Sequence, residues 1–170
     1  MKREVLILTV ATTILFTGCS TQAIPTTTNQ ETALAQQDKA YYKEMNLIFD
    51  DIDKTLNIIA PSLAAYVNGF DKDPSKYKDI RKPAEEARVL SSSIIKRTEK
   101  VVPPRGLEDK HKKTMEKIRK LETGLTSIAR FANGKDGESE FGLQYLRKAM
   151  EDLGVKALTD TRMEYKEHKE

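Results

Sequence analysis

The 170 residues are 38% hydrophobic and 32% charged, carry a net charge of +3, and include one Cys, two His and no Trp. A single Cys excludes an internal disulfide framework and a cysteine zinc site, and this length holds one domain plus accessory segments. Scarce aromatics beside abundant Ala, Leu, Ile, Lys and Glu favour helices over a β-sandwich, and so small a net charge gives no compositional support for nucleic-acid binding.

The chain opens on the basic pair Lys2-Arg3, followed by an apolar run from Val5 to Phe16 broken only by Thr9, Thr12 and Thr13. Twelve residues suit the apolar region of a signal peptide and fall short of the about 20 needed to span a bilayer. Small residues then lead to Thr17-Gly18-Cys19, which contains the only cysteine. Residues 1–19 resemble the precursor of a bacterial lipoprotein, with a lipobox ending at Cys19. The resemblance implies cleavage between Gly18 and Cys19 and a diacylglyceryl thioether on Cys19. It also implies a mature chain anchored in a bacterial membrane and exposed outside the cytoplasm. Two acyl chains give stable anchoring where one is marginal. Removal of residues 1–18 takes away Lys2, Arg3 and Glu4 and leaves 152 residues at +2.

Residues 19–30 read as the lipidated Cys and a polar tether. The stretch Ser20 to Asn29 is uncharged and aperiodic, a linker composition. From residue 31 the apolar period is 3.5 to 3.6. Four helices are predicted, over about 31–70, 74–101, 107–133 and 138–163, within a helical region spanning 31–168. The first stripe runs Tyr41, Met45, Ile48, Ile52, Leu56, Ile59, Leu63, Tyr66, Phe70. The second opens at Asp73-Pro74, a cap followed by proline, and ends at Pro103-Pro104. The third runs from Leu107 through His111, Ile118, Leu121, Leu125 and Ile128 to Ala132. The fourth runs Phe141, Tyr145, Leu146, Ala149, Met150, Leu153, Ala157, Leu158, with Gly154 as a weak point and a charged end from Arg162 expected to fray or project. Short connections imply an all-α, antiparallel up-down four-helix bundle. Pro61 and Pro83 are equidistant from the first turn, which predicts paired kinks or breaks at one height, unless residues 61–82 form a short separate cap.

No catalytic residue, cofactor or metal is expected. Glu108-x-x-His111 has the spacing of a helical ligand pair but lacks the second copy that a di-metal bundle needs. Asp50, Asp51 and Asp53 lack the calcium-loop pattern and read as a solvated acidic face. Ser91-Ser92-Ser93 has no base beside it, Tyr41, Tyr42, Tyr66 and Tyr77 read as core rim, and His168 reads as a solvent-exposed tail residue. The most suggestive window carries ten cations, Lys96, Arg97, Lys100, Arg105, Lys110, Lys112, Lys113, Lys117, Arg119 and Lys120, against four carboxylates. In the predicted topology it lies at the end that carries the lipidated amino terminus, as a candidate patch facing anionic head groups. Residues 30–168 also resemble small helical lipoproteins, through the Pro-Pro turn followed by a helix bearing His111; that likeness implies no activity. The expected function is a non-enzymatic binding or scaffold module of the cell envelope that contacts the bilayer through acylated Cys19 and an envelope protein through a helix face. The alternative is a small-ligand or metal binder using the interior near His111.

Overall fold

A computed structural model describes the backbone of residues 27–166. Gly18, Cys19, the segment before them, most of the tether and His168 lie outside the described residues. The described chain is an all-α bundle without strands: α1 (Thr27–Gly69), α2 (Arg81–Thr98), α3 (Glu108–Asn133), α4 (Glu140–Asp152) and α5 (Val155–Lys166), with 3-10 turns at Pro74–Ile80 and Asp136–Glu138. No described helix is long and apolar enough to cross a membrane.

The contacts between neighbours run in opposite chain directions. Arg81 Nε donates to the Ala132 carbonyl, Ser92 to Glu122, and Arg119 pairs with Glu99, so α2 descends as α3 rises. Tyr41 meets Tyr165 while Asp50 and Asp53 meet Arg162, which sets α5 against α1 in the same sense. One core joins all helices. Met45, Ile48, Ile52, Ile59, Ile118, Leu121, Leu125 and Ile128 are all essentially inaccessible. Their 3.6-residue spacing is what brings them to one face of α1 and of α3.

The first interhelical connection departs from expectation. Asp73 does act as a cap, accepting from the Ser75 amide at 3.2 Å, but Pro74–Ile80 winds as a 3-10 turn and α2 proper starts at Arg81. Pro83 is then the third residue of α2, where an amide proton has no intrahelical acceptor anyway. α1 runs through Pro61 unbroken. Pro61 is exposed, as is Asn57, whose carbonyl it deprives of a donor. Pro61 thus lies inside α1 and Pro83 in the first turn of α2, so the two are not matched interior breaks.

The fourth predicted helix is two. α4 ends at Asp152, and Gly154, at φ +62, turns the chain into α5. A left-handed residue terminates a helix, and glycine adopts it without the Cβ penalty. The stripe on α4 is also rotated from the predicted one. Gly142, Leu143, Leu146 and Ala149 are buried, whereas Phe141 and Tyr145 are 74% and 43% exposed and Ala157 on α5 is exposed too. Gly124 on α3 lets α4 sit close, since a Cβ there would stand 3.2 Å from the Ala149 carbonyl, and the aromatics of α4 turn outward.

Candidate functional site

Tyr41 on α1, His111 and Thr114 on α3 and Tyr165 on α5 converge in a buried polar chain. Tyr41 Oη lies 3.1 Å from His111 Nδ1 and 3.0 Å from Tyr165 Oη, which lies 3.2 Å from Thr114 Oγ1. Counting protons sets the direction of this chain. Thr114 donates its only proton to the Lys110 carbonyl at 2.9 Å. Tyr165 must then donate to Thr114, Tyr41 to Tyr165, and His111 Nδ1–H to Tyr41. His111 thus carries its proton on Nδ1, and the lone pair sits on Nε2.

The rings pack as tightly as the hydroxyls bond. Tyr165 lies 6.0, 5.7 and 5.5 Å from the ring centroids of Tyr41, Tyr42 and Phe49, and Lys110 Nζ sits 4.5 Å above its ring. Burial, with the Tyr165 hydrogen bond and the neighbouring phenols, pushes the Tyr41 hydroxyl well above its ordinary range. Burial holds His111 below the usual histidine value. Each shift sets a limb of the stability profile. A depressed histidine stabilises above the unfolded value near 6.5 and loses that contribution as pH falls. A raised tyrosine stabilises below the unfolded value near 10 and loses it as pH rises. Urea midpoints taken across pH should therefore show a plateau between about 6.5 and 10 with a fall on either side. His111→Gln should flatten the acid limb; an unchanged limb would assign the acid loss to carboxylates instead.

Glu108 does not reach toward His111; its carboxylate accepts from the Gly106 amide at 2.7 Å. Among the described residues no three His, Cys, Asp or Glu side chains gather as a metal set, so the metal form of the His111 reading has no supporting geometry. Tyr41, Tyr42, Tyr66 and Tyr77 are all buried. Ser91 is buried and donates to the Arg88 carbonyl within its own helix, while Ser92 reaches Glu122 on α3.

The acidic run of α1 is partly exposed, as expected, and is also ion-paired. Asp50 and Asp53 both hold Arg162, and Asp51 shares Arg97 with Glu44 at 2.8 and 2.7 Å. These carboxylates tie α1 to α5 on one side and to α2 on the other. The end from Arg162 is accordingly docked as far as Lys166 rather than frayed, with Tyr165 fully buried.

The basic window is divided by the fold. Arg97 is committed to α1 and Arg119 to Glu99. Lys117 donates to Thr161 at 2.5 Å and Lys110 reaches Glu164 on α5. Lys96, Lys100, Arg105, Lys112, Lys113 and Lys120 are exposed and make no ion pair among the described residues. The first five surround the Glu99–Leu107 connection, at the end of the bundle that also holds Tyr41 and Tyr165.

At the opposite end, Phe141 and Tyr145 border a cleft of about 250 Å³ together with Arg130, Phe131, Gly134 and Gly142. They stand one turn apart on α4, so both rings occupy the same outer face. The chain matches no protein-family model, no curated protein and no solved structure.

Proposed function

We propose that the chain is a lipid-anchored module of a bacterial cell envelope that works by binding another protein rather than by catalysis. The anchor reading rests on the lipobox resemblance at Thr17-Gly18-Cys19. The observation that carries protein binding is the outward aromatic pair, Phe141 and Tyr145, over its cleft. Scattered apolar residues on a surface are ordinary, but adjacent aromatics beside a concavity have the composition of interface anchors. The pair lies at the end of the bundle away from Tyr41, and so away from the tethered start of α1.

The exposed cations around Glu99–Leu107 support a bilayer-facing orientation of the other end. Each Lys or Arg close to an anionic surface contributes about 1 kcal/mol. The range is short, about 8 Å at physiological salt. α1 begins at Thr27, fourteen residues before Tyr41. Fourteen residues of helix rise about 21 Å, so an upright α1 holds the cations beyond that range. The basic end engages head groups only when the bundle leans on its tether.

Two measurements test this reading in the native host. Wild-type chain should partition with membranes and carry a lipid mass at Cys19, and Cys19→Ala should lose both. A soluble, unmodified wild type would remove the anchor from the proposal. A photo-cross-linking amino acid at position 141 or 145 should give a discrete higher-mass adduct that the same probe at Val89 does not. Equal, diffuse adducts from both faces would remove the aromatic pair.

A further inference from the structure

A second concavity lies between α3 and α5, about 320 Å³ in volume, lined by Lys110, Lys113, Thr114, Lys117, Thr161 and Glu164. We infer that this cleft binds a phosphate-type dianion, either inorganic phosphate or the phosphomonoester of a lipid head group. Lys110, Lys113 and Lys117 are spaced by three and four residues, so they rise along one face of α3. Three ammonium groups with a single carboxylate facing them leave the cleft at +2. Like charges on one helix face repel, and a bound dianion relieves that cost.

Two of the three heads are already held in position. Lys117 Nζ donates to Thr161 Oγ1 at 2.5 Å, and Lys110 Nζ lies over the Tyr165 ring, 3.5 Å from the Glu164 carbonyl and 3.8 Å from its carboxylate. Each ammonium has three protons, so both keep donors for a ligand, and Lys113 makes no ion pair among the described residues. The threonines offer no donor, because Thr114 gives its proton to the Lys110 carbonyl and Thr161 to the Ala157 carbonyl. Recognition then comes from ammonium charge alone, without the planar fork of an arginine. Such a site ranks ligands by charge, so a phosphomonoester dianion binds ahead of a phosphodiester or chloride. The inference stands on α3 and α5 and holds whether or not Cys19 is lipidated.

The test uses the full chain in a neutral detergent at pH 8, titrated calorimetrically with inorganic phosphate against chloride at matched ionic strength. Saturable phosphate binding is expected. Lys113→Gln with Lys117→Gln should weaken it about tenfold, the loss of two charge contacts. Lys96→Gln with Lys100→Gln should leave it within about twofold. Circular dichroism and urea midpoints without phosphate identify a variant that has lost its fold, and single Lys113→Gln, whose side chain makes no ion pair, then carries the comparison. Flotation of the Cys19→Ala chain with phosphatidylcholine vesicles, with and without phosphatidic acid, separates the sources without the acyl anchor. Phosphatidic acid binding that free phosphate displaces assigns a lipid head group. Phosphate binding without vesicle binding assigns the free anion. No saturable binding of either, or equal weakening by the Lys96/Lys100 pair, overturns the site in favour of a diffuse basic surface.

Discussion

Tyr165→Ala is expected to lower the unfolding free energy by about 3–5 kcal/mol, the range for deleting a buried aromatic. The position lies in a run dominated by charged residues, where a solvated side chain would be the ordinary expectation. Yet the ring is inaccessible and touches Tyr41, Tyr42 and Phe49, and its hydroxyl links two helices. Tyr165→Phe separates the two contributions. It keeps the ring and leaves the Tyr41 hydroxyl proton and the Thr114 lone pair without partners, a loss of about 1–3 kcal/mol. Urea unfolding reads both, with the midpoint falling and the slope unchanged. An alanine variant within 1 kcal/mol of wild type would mean that α5 does not stay docked.

The composition of the tail hides its docking. From Arg162 onward charges dominate, and a charged run scores as solvated. The buried positions Leu158, Thr161 and Tyr165 nevertheless keep the three- and four-residue spacing of an inward face. The period is present in the sequence, with Thr161 and Arg162 obscuring it. Arg162 pairs with Asp50 and Asp53, more than a hundred residues away, and no local pattern reveals such a pairing.

Where the apolar stripe is strong, local pattern and tertiary burial agree. Tyr41, Met45, Ile48, Ile52, Ile59, Leu63 and Tyr66 on α1, and His111, Ile118, Leu121, Leu125, Ile128 and Ala132 on α3, are buried as their spacing predicts. On α4 the pattern is degenerate, because Phe141, Leu143, Tyr145 and Leu146 offer two overlapping faces. Volume decides between them. The face with Ala149 lies against Gly124 of α3 at backbone distance, which leaves no space there for two aromatics. The 3-10 turn at Pro74–Ile80 is equally silent in sequence, since Asp-Pro opens either kind of helix. His111 is legible as an anomaly on an apolar stripe; its partners Tyr41 and Tyr165 become visible only once α1 and α5 are set beside α3.

Gly137→Ala is expected to be among the most damaging single-methyl additions, at about 1–3 kcal/mol or more. Gly137 lies in the 3-10 turn before α4 and faces the ring of Tyr77, which is 4% exposed. A Cβ built there would stand 2.7 Å from Tyr77 Cδ1 and closer still to Cγ and Cδ2. These are the root atoms of a buried ring rather than the tip of a flexible chain. Tyr77 has little room to yield, since Phe131 packs 6.1 Å away and Lys78 and Arg81 flank the same ring. The Gly137 carbonyl also accepts the Tyr66 hydroxyl at 2.5 Å, so moving the turn breaks a second buried contact. Two other glycines calibrate the effect. Gly124→Ala meets Leu153 Cδ2 at 2.8 Å, and that methyl can rotate aside, but the Ala149 carbonyl and Leu153 amide at 3.2 Å are backbone and cannot. Its cost should fall below that of Gly137→Ala. Gly69→Ala meets nothing within 4 Å at the end of α1, so it should be neutral or slightly stabilising through lost unfolded-state freedom. Thermal midpoints of the three variants should follow that order. A Gly137→Ala protein as stable as Gly69→Ala would mean that the turn before α4 does not rest on Tyr77.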